Sequence, residues 1–239
     1  MIATGIIVFS ALASFLFEVA PLAVAADTVA SGKVVGLVSV AGVAEKPKPL
    51  PVFKSRSFCG ASVPNETLLV TADGRLRNAA VTLRPLSGGV VAQPKKLVLD
   101  NRYCAFTPHV QVAPRGSELL LKNSDPILHT VHARLGRETL FNVGLPKWRQ
   151  VTKRLDRAGV IKIDCDVLHT WMSAAIIVTD NPYSFVSNEK GEFHFDGIPA
   201  GIYEIEIWHE RLGRHSQRIA VRDNGTTDVN VVFSSENKR

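Results

Sequence analysis

The sequence predicts an all-β protein, and three observations predict it. Short runs rich in Val, Ile and Thr recur along the chain, as expected of strands that half-bury a pleated surface. Turn-forming residues separate them, 17 glycines and 13 prolines in 239 residues, which punctuates the chain too often for long helices. Beyond the N-terminal segment, no stretch repeats apolar residues at helical spacing. This length is enough for one large core or two modest ones.

Residues 1–26 end in Ala23-Val24-Ala25-Ala26 after an apolar run, the pattern of a secretory signal that is removed. Glu18 and Pro21 interrupt the run, leaving it short of the ~20 apolar residues a bilayer core requires. The expectation is an exported, for example periplasmic, protein whose mature chain has no membrane span; the alternative is a retained anchor. A strand then covers Gly32–Val40, and the proline-rich Glu45–Pro51 is a connector or edge. Glu66–Val70 and Ala79–Arg84 read as strands around the turn at Ala72-Asp73-Gly74. Lys96–Asp100, Ala105–Val112 and Glu118–Lys122 continue the meander. Residues 133–158 read as less regular, with a turn at Asn142–Pro146, before the strands Gly159–Asp164 and Ser173–Val178.

The two last strands enclose Cys165-Asp-Val-Leu-His169-Thr-Trp171-Met172. A thiolate, an imidazole and a thioether in one short loop are soft donors of the kind that select copper, whereas hard cations want oxygen. A second imidazole is available from Asn123-Ser-Asp-Pro-Ile-Leu-His129-Thr130-Val-His132, upstream. Each motif alone has a plainer reading, because a lone Cys is often a small core hydrophobe and Met a core filler. The pair of motifs together resembles the cupredoxins, the amicyanins most of all. That resemblance implies a Greek-key β-sandwich over residues 32–180 and one type 1 copper ion held by His129, Cys165, His169 and Met172. It leaves His132 as a non-ligand, with Asn123, Thr130 and Trp171 around the ligands and the Thr130 amide facing the Cys165 sulfur. His169 is expected nearest the surface, as the electron exit. The family pattern has two residues between Cys and His; this chain has three, Asp166, Val167 and Leu168.

With Cys165 given to the metal, the other two cysteines, Cys59 and Cys104, are expected to pair as a disulfide in an oxidising compartment; two buried free thiols are the alternative. The formal charge of +6 comes from 28 basic and 22 acidic residues, but the basic residues follow no nucleic-acid-binding motif. The densest basic segment, Lys147–Arg157, reads as a solvated edge, or as a surface that steers an acidic redox partner. His109, beside Pro108, reads as a structural histidine and a reserve ligand, and His194, His209 and His215 as hydrogen-bonded or solvent-facing.

Residues 181–235 resemble the carboxypeptidase regulatory-like, transthyretin-like β-domain, through a turn at Asn188–Gly191, alternation in Glu192–Phe195, a turn at Gly197–Gly201 and alternation in Tyr203–Trp208. So short a unit is small for an independent sandwich, so it is expected to pack on the copper domain or to share strands from 32–95. The function expected is a non-enzymatic carrier of single electrons between redox proteins. The alternative is a non-redox binding or scaffold protein that carries copper or has lost it.

Overall fold

The computed structural model describes residues 31–42, 47–88 and 91–234; the expected signal segment, 1–26, lies outside them. Strand β1 (Ser31–Ala41) is followed by the short strands β2 (Leu50–Pro51) and β3 (Ser62–Val63), which flank one helical turn, α1 (Arg56–Cys59). Then come β4 (Ala80–Pro85), β5 (Lys96–Arg102), β6 (Ala105–Thr107), β7 (Val110–Pro114), β8 (Ser117–Asn123) and β9 (His129–Leu135). β10 (Glu138–Leu145), β11 (Gln150–Leu155), β12 (Gly159–Asp164) and β13 (Ser173–Thr179) complete the middle of the chain. The C-terminal part is β14 (Tyr183–Val186), β15 (Glu192–Pro199), β16 (Gly201–His209), β17 (Gly213–Val221) and β18 (Thr226–Ser234). The all-β class therefore holds.

Four sheets make two sandwiches. In the first, the sheets ordered β10-β9-β12-β13-β7 and β11-β8-β5-β6 enclose a core that includes Leu99, Leu119, Leu121, Val131, Ile161, Ile163 and Ile176. In the second, β15-β1-β18 and β14-β4-β16-β17 enclose Val34, Val38, Leu83, Phe193, Ile205, Ile207 and Val229. β1 pairs antiparallel with β15 and parallel with β18, so a strand from the beginning of the described chain lies at the centre of a C-terminal sheet. β4 likewise lies between β14 and β16.

Several local expectations need correction. Glu66–Val70 forms no strand; its one pairing is an isolated bridge from Val70 to Leu76 across the Thr71–Arg75 turn. Ala105–Val112 is broken into β6 and β7 at Pro108, which has no amide to give a ladder. Residues 133–158 are regular, and the expected turn at Asn142–Pro146 is largely the end of β10, where Asn142 to Leu145 pair with His132 to His129. The turn at Asn188–Gly191 makes no hairpin: β14 pairs with β4 and β15 with β1, so the chain crosses between sheets there. Gly191 is required at that crossover, since at φ 70° a Cβ would lie 2.5 Å from the Val38 carbonyl oxygen. The segment Gly197–Gly201 also passes between sheets, because β15 and β16 do not pair. β11, in the basic segment, is an edge strand with alternating exposure, as a solvated edge requires.

The sandwiches meet across a small apolar cluster of Ala80, Val110, Val112, Ala175, Ile177 and Trp208. Beside it the buried His109 pairs through Nε2 with Glu210, on the turn after β16. Next to Glu210, His209 is 1% exposed, its Nδ1 accepting the Arg211 amide at 3.3 Å and its Nε2 without a partner. Burial first, then the charges of His109 and Arg211, push the His209 pKa down to about 4. An unfolded histidine titrates near 6.5, so between these values the unfolded chain binds a proton that the folded chain refuses. The stability His209 allows at neutral pH is therefore lost as pH falls from about 6.5 towards 4, by up to about 3 kcal/mol. His209→Asn keeps an acceptor for the Arg211 amide but cannot titrate; urea denaturation across this range should show a shallower acid limb for the variant, and identical limbs would refute the assignment.

Candidate metal centre

His129 opens β9, and Cys165 and His169 lie in the loop from β12 to β13. β9 and β12 are neighbours in one sheet, with Asp164 opposite His132, so the thiol emerges beside the strand that starts with His129. His129, Cys165 and His169 are 0%, 4% and 1% exposed. Their donor atoms converge within 4.8 Å of one another. The two Nδ1 atoms are 3.1 Å apart, and the sulfur lies 3.9 Å from His129 Nδ1 and 3.7 Å from His169 Nδ1. The third residue between Cys165 and His169 is accommodated by Leu168, which adopts φ 64° and turns its side chain out to 64% exposure. His169, expected nearest the surface, is 1% exposed against 0% for His129, with Ser55 at its outer nitrogen.

Each imidazole is oriented by its outer nitrogen. His129 Nε2 lies 3.0 Å from Asp125 Oδ2, and a carboxylate there accepts Nε2–H, leaving Nδ1 as a lone pair aimed inward. Asp125, 2% exposed, also accepts the Tyr103 amide at 2.7 Å and the Cys104 amide at 2.9 Å. His169 Nε2 lies 3.2 Å from Ser55 Oγ. The amide and hydroxyl of Thr130 donate to the Cys165 sulfur at 3.4 and 3.7 Å. Asn123, fully buried, shapes the loop before His129: its side chain donates to the Ile127 and Leu145 carbonyls at 2.8 and 2.7 Å and accepts the Asp125 amide at 3.0 Å. Trp171 stacks near His169, ring centres 5.1 Å apart, and donates Nε1–H to the Cys104 carbonyl at 3.1 Å. Met172 is buried in the core that holds Cys165, and its amide donates to the His169 carbonyl at 2.9 Å. Cys59 and Cys104 form a disulfide, Cα atoms 5.7 Å apart. His132 lies outside the donor group, with Nδ1 2.9 Å from Asp166 and Nε2 2.8 Å from Thr139 Oγ1.

The electrostatics divide the two imidazoles. Burial opposes charge on His129, but Asp125 and Cys165 override it and raise its pKa. Burial likewise opposes the Cys165 thiolate, yet His129 and the Thr130 and Val167 amides bring its pKa below the ordinary thiol value. His169 is held neutral, its pKa lowered to about 4 by burial and by the charges of His129 and Lys54. A neutral imidazole and a thiolate are the forms that bind metal. Two lone pairs 3.1 Å apart need a proton or a metal ion between them. His129 Nδ1, Cys165 Sγ and His169 Nδ1 would hold such an ion, since imidazole nitrogen and thiolate sulfur are ordinary ligands of one metal. The donor set fits a metal ion.

Around the centre, loops expose large apolar side chains beside cations. Tyr103 stands 5.0 Å from the Arg102 guanidinium and Trp148 5.4 Å from the Lys147 ammonium; Phe53, Leu128 and Leu168 are exposed on the neighbouring loops. Asp125 and Ser55 are the two residues of the centre that the motifs did not indicate. Asp125 was within reach of inspection, four residues before His129, whereas Ser55 lies 114 residues from His169 with no pattern to mark it.

No protein-family model and no curated protein matches the chain. Among solved structures it is similar to a copper-containing nitrite reductase from Thermus scotoductus SA-01, at 18% identity and a TM-score of 0.33, over 40% of this chain and 25% of that one. It is similar to a purple cupredoxin from Nitrosopumilus maritimus at 19% identity and TM-score 0.31, over 36% of this chain and 99% of that one. A reduced amicyanin variant is similar at 18% identity and TM-score 0.32, over 41% of this chain and 99% of that one. Each likeness covers less than half of this chain.

The buried carboxylate makes a prediction that needs no metal. Asp125→Ala removes three hydrogen bonds, including a charge-assisted one to His129, and should destabilise the metal-free protein by about 2–4 kcal/mol in urea denaturation. A loss under about 0.5 kcal/mol would show that water replaces the carboxylate without penalty.

Proposed function

We propose that the chain is an exported copper protein of the cupredoxin type that passes single electrons between redox proteins. The observation that carries this reading is the convergence of His129 Nδ1, Cys165 Sγ and His169 Nδ1 in a buried pocket. One sulfur and two imidazoles in a near-trigonal set are the donors of an electron-transfer copper site. In this reading His129, Cys165 and His169 would hold the ion, with the Met172 thioether as a further, weaker donor. Bound copper would supply the one-electron couple. The chain's own residues keep the donors fixed: Asp125 orients His129, Ser55 orients His169, and the Thr130 amide stabilises charge on the sulfur. A donor set already in place limits the rearrangement that accompanies electron transfer. A catalytic zinc site would keep a position open to water, whereas these donors are buried, which supports a carrier over an enzyme.

The domain division belongs to the same proposal. β5 to β13 make the copper sandwich, and β14 to β18 with β1 and β4 make a transthyretin-like module that serves a structural or binding role. The exposed Phe53, Tyr103, Leu128, Trp148 and Leu168, set among Lys54, Arg102 and Lys147, suit a redox partner with an acidic surface.

Titration of the purified protein with Cu(II) tests the reading. One equivalent should produce an intense visible charge-transfer band, which Cys165→Ser should abolish. Asp125→Asn should keep the band but weaken copper binding about 10–100-fold in competition with a chelator. Absence of the band in the unaltered protein would refute the copper reading and favour a scaffold.

A further inference from the structure

The hairpin of β2 and β3 lies over the His169 edge of the donor group and is held in two unlike ways. Its base is part of the main core: Val52 and Val63 are 2% and 5% exposed, and the Val52 amide donates to the Ala61 carbonyl at 3.0 Å. Its tip, residues 53–60, touches that core only through the partly buried Cys59. The turn α1 contributes no buried residue, and Phe53 and Phe58 are exposed. Two ties hold the tip down, the Cys59–Cys104 disulfide and the contact of Ser55 Oγ with His169 Nε2 at 3.2 Å. Ser55 adopts φ 58°, ψ 30°, a left-handed conformation that a non-glycine residue keeps where its surroundings impose it. The disulfide fastens the tip to Cys104, whose amide donates to Asp125 and whose carbonyl accepts from Trp171. The cover is thus tied at one end to a metal-site imidazole and at the other to the residue that supports the second imidazole's carboxylate.

We propose that residues 53–60 are a latched cover on the centre, in which Ser55 is a positioning residue for His169 and the disulfide keeps small ligands from the imidazole edge. What the cover protects rests on the copper reading, but the cover itself is a property of the metal-free chain. Its consequence for the centre is selectivity: electrons pass through a closed shell of protein, while anions and chelators reach the donors only slowly. A site for bond chemistry needs the opposite, an open position.

The test uses the full metal-free protein and acylation of histidines by diethyl pyrocarbonate, followed residue by residue by mass spectrometry. His194, with its side chain 57% exposed, reports the rate of an open histidine. In the unaltered protein His169 should react about tenfold more slowly than His194, or slower still. Ser55→Ala should speed His169 about fivefold with the disulfide intact. Ser55→Asn, which tolerates the left-handed region and keeps a hydrogen-bonding side chain, should restore protection to within about twofold. The double variant Cys59→Ala, Cys104→Ala should bring His169 close to the His194 rate while His129 stays protected. If His129 also reacts, that variant has lost its fold and the Ser55 variants decide. Reaction of His169 in the unaltered protein at the His194 rate, or unchanged protection in Ser55→Ala, would overturn the cover. Failure of the copper titration would leave this result standing, so the two readings fail separately.

Discussion

The carboxylate of Asp125 is the point from which the metal end of the molecule is organised. A buried charge is tolerable only when it is fully hydrogen-bonded, and Asp125 meets that condition with the amides of Tyr103 and Cys104 and the imidazole of His129. Those bonds fix together the turn after β5, the orientation of the His129 ring and, through Cys104, the disulfide and the Trp171 indole. The fully buried Asn123 presents the carboxylate by bridging two carbonyls and holding the Asp125 amide. The loop between β8 and β9 is therefore set by polar satisfaction together with the packing of Ile127 on the core.

The same network makes the two imidazoles unequal. His129 faces two acidic groups and holds charge readily, while His169 faces His129 and Lys54 and is kept neutral. The thiol between them is drawn towards its anionic form. In the metal-free pocket a proton on His129 offsets the charge drawn onto Cys165, and a metal ion binding to all three donors would take that proton's place. Sulfur with imidazole suits softer transition metals better than the hard, oxygen-seeking cations.

The readable part of this protein was the part whose cause is local. Short apolar runs in Lys96–Asp100, Glu118–Lys122 and Gly159–Asp164 marked β5, β8 and β12, and in the fold each buries alternate residues on one core. The donors His129, Cys165 and His169 were legible because two short loops carry all three. What escaped depends on distant partners. Ser55 meets His169 only through a hairpin whose tip is fastened by a disulfide spanning 45 residues. Gly197–Gly201 has the residues of a hairpin turn, and it became a crossover because β1 takes the place beside β15. Asn142–Pro146 has turn composition, yet pairing with His129–His132 extends it. β17 and β18, also unmarked in advance, alternate in exposure but derive their places from β16 and β1.

On the proposed reading, His129, Cys165 and His169 would hold one copper ion in both of its oxidation states. X-ray absorption of the copper-loaded protein, recorded for Cu(I) and for Cu(II), tests it most directly. One sulfur and two nitrogens bound in both states is the expected result. Loss of a nitrogen on reduction, or a water oxygen entering on oxidation, would contradict it.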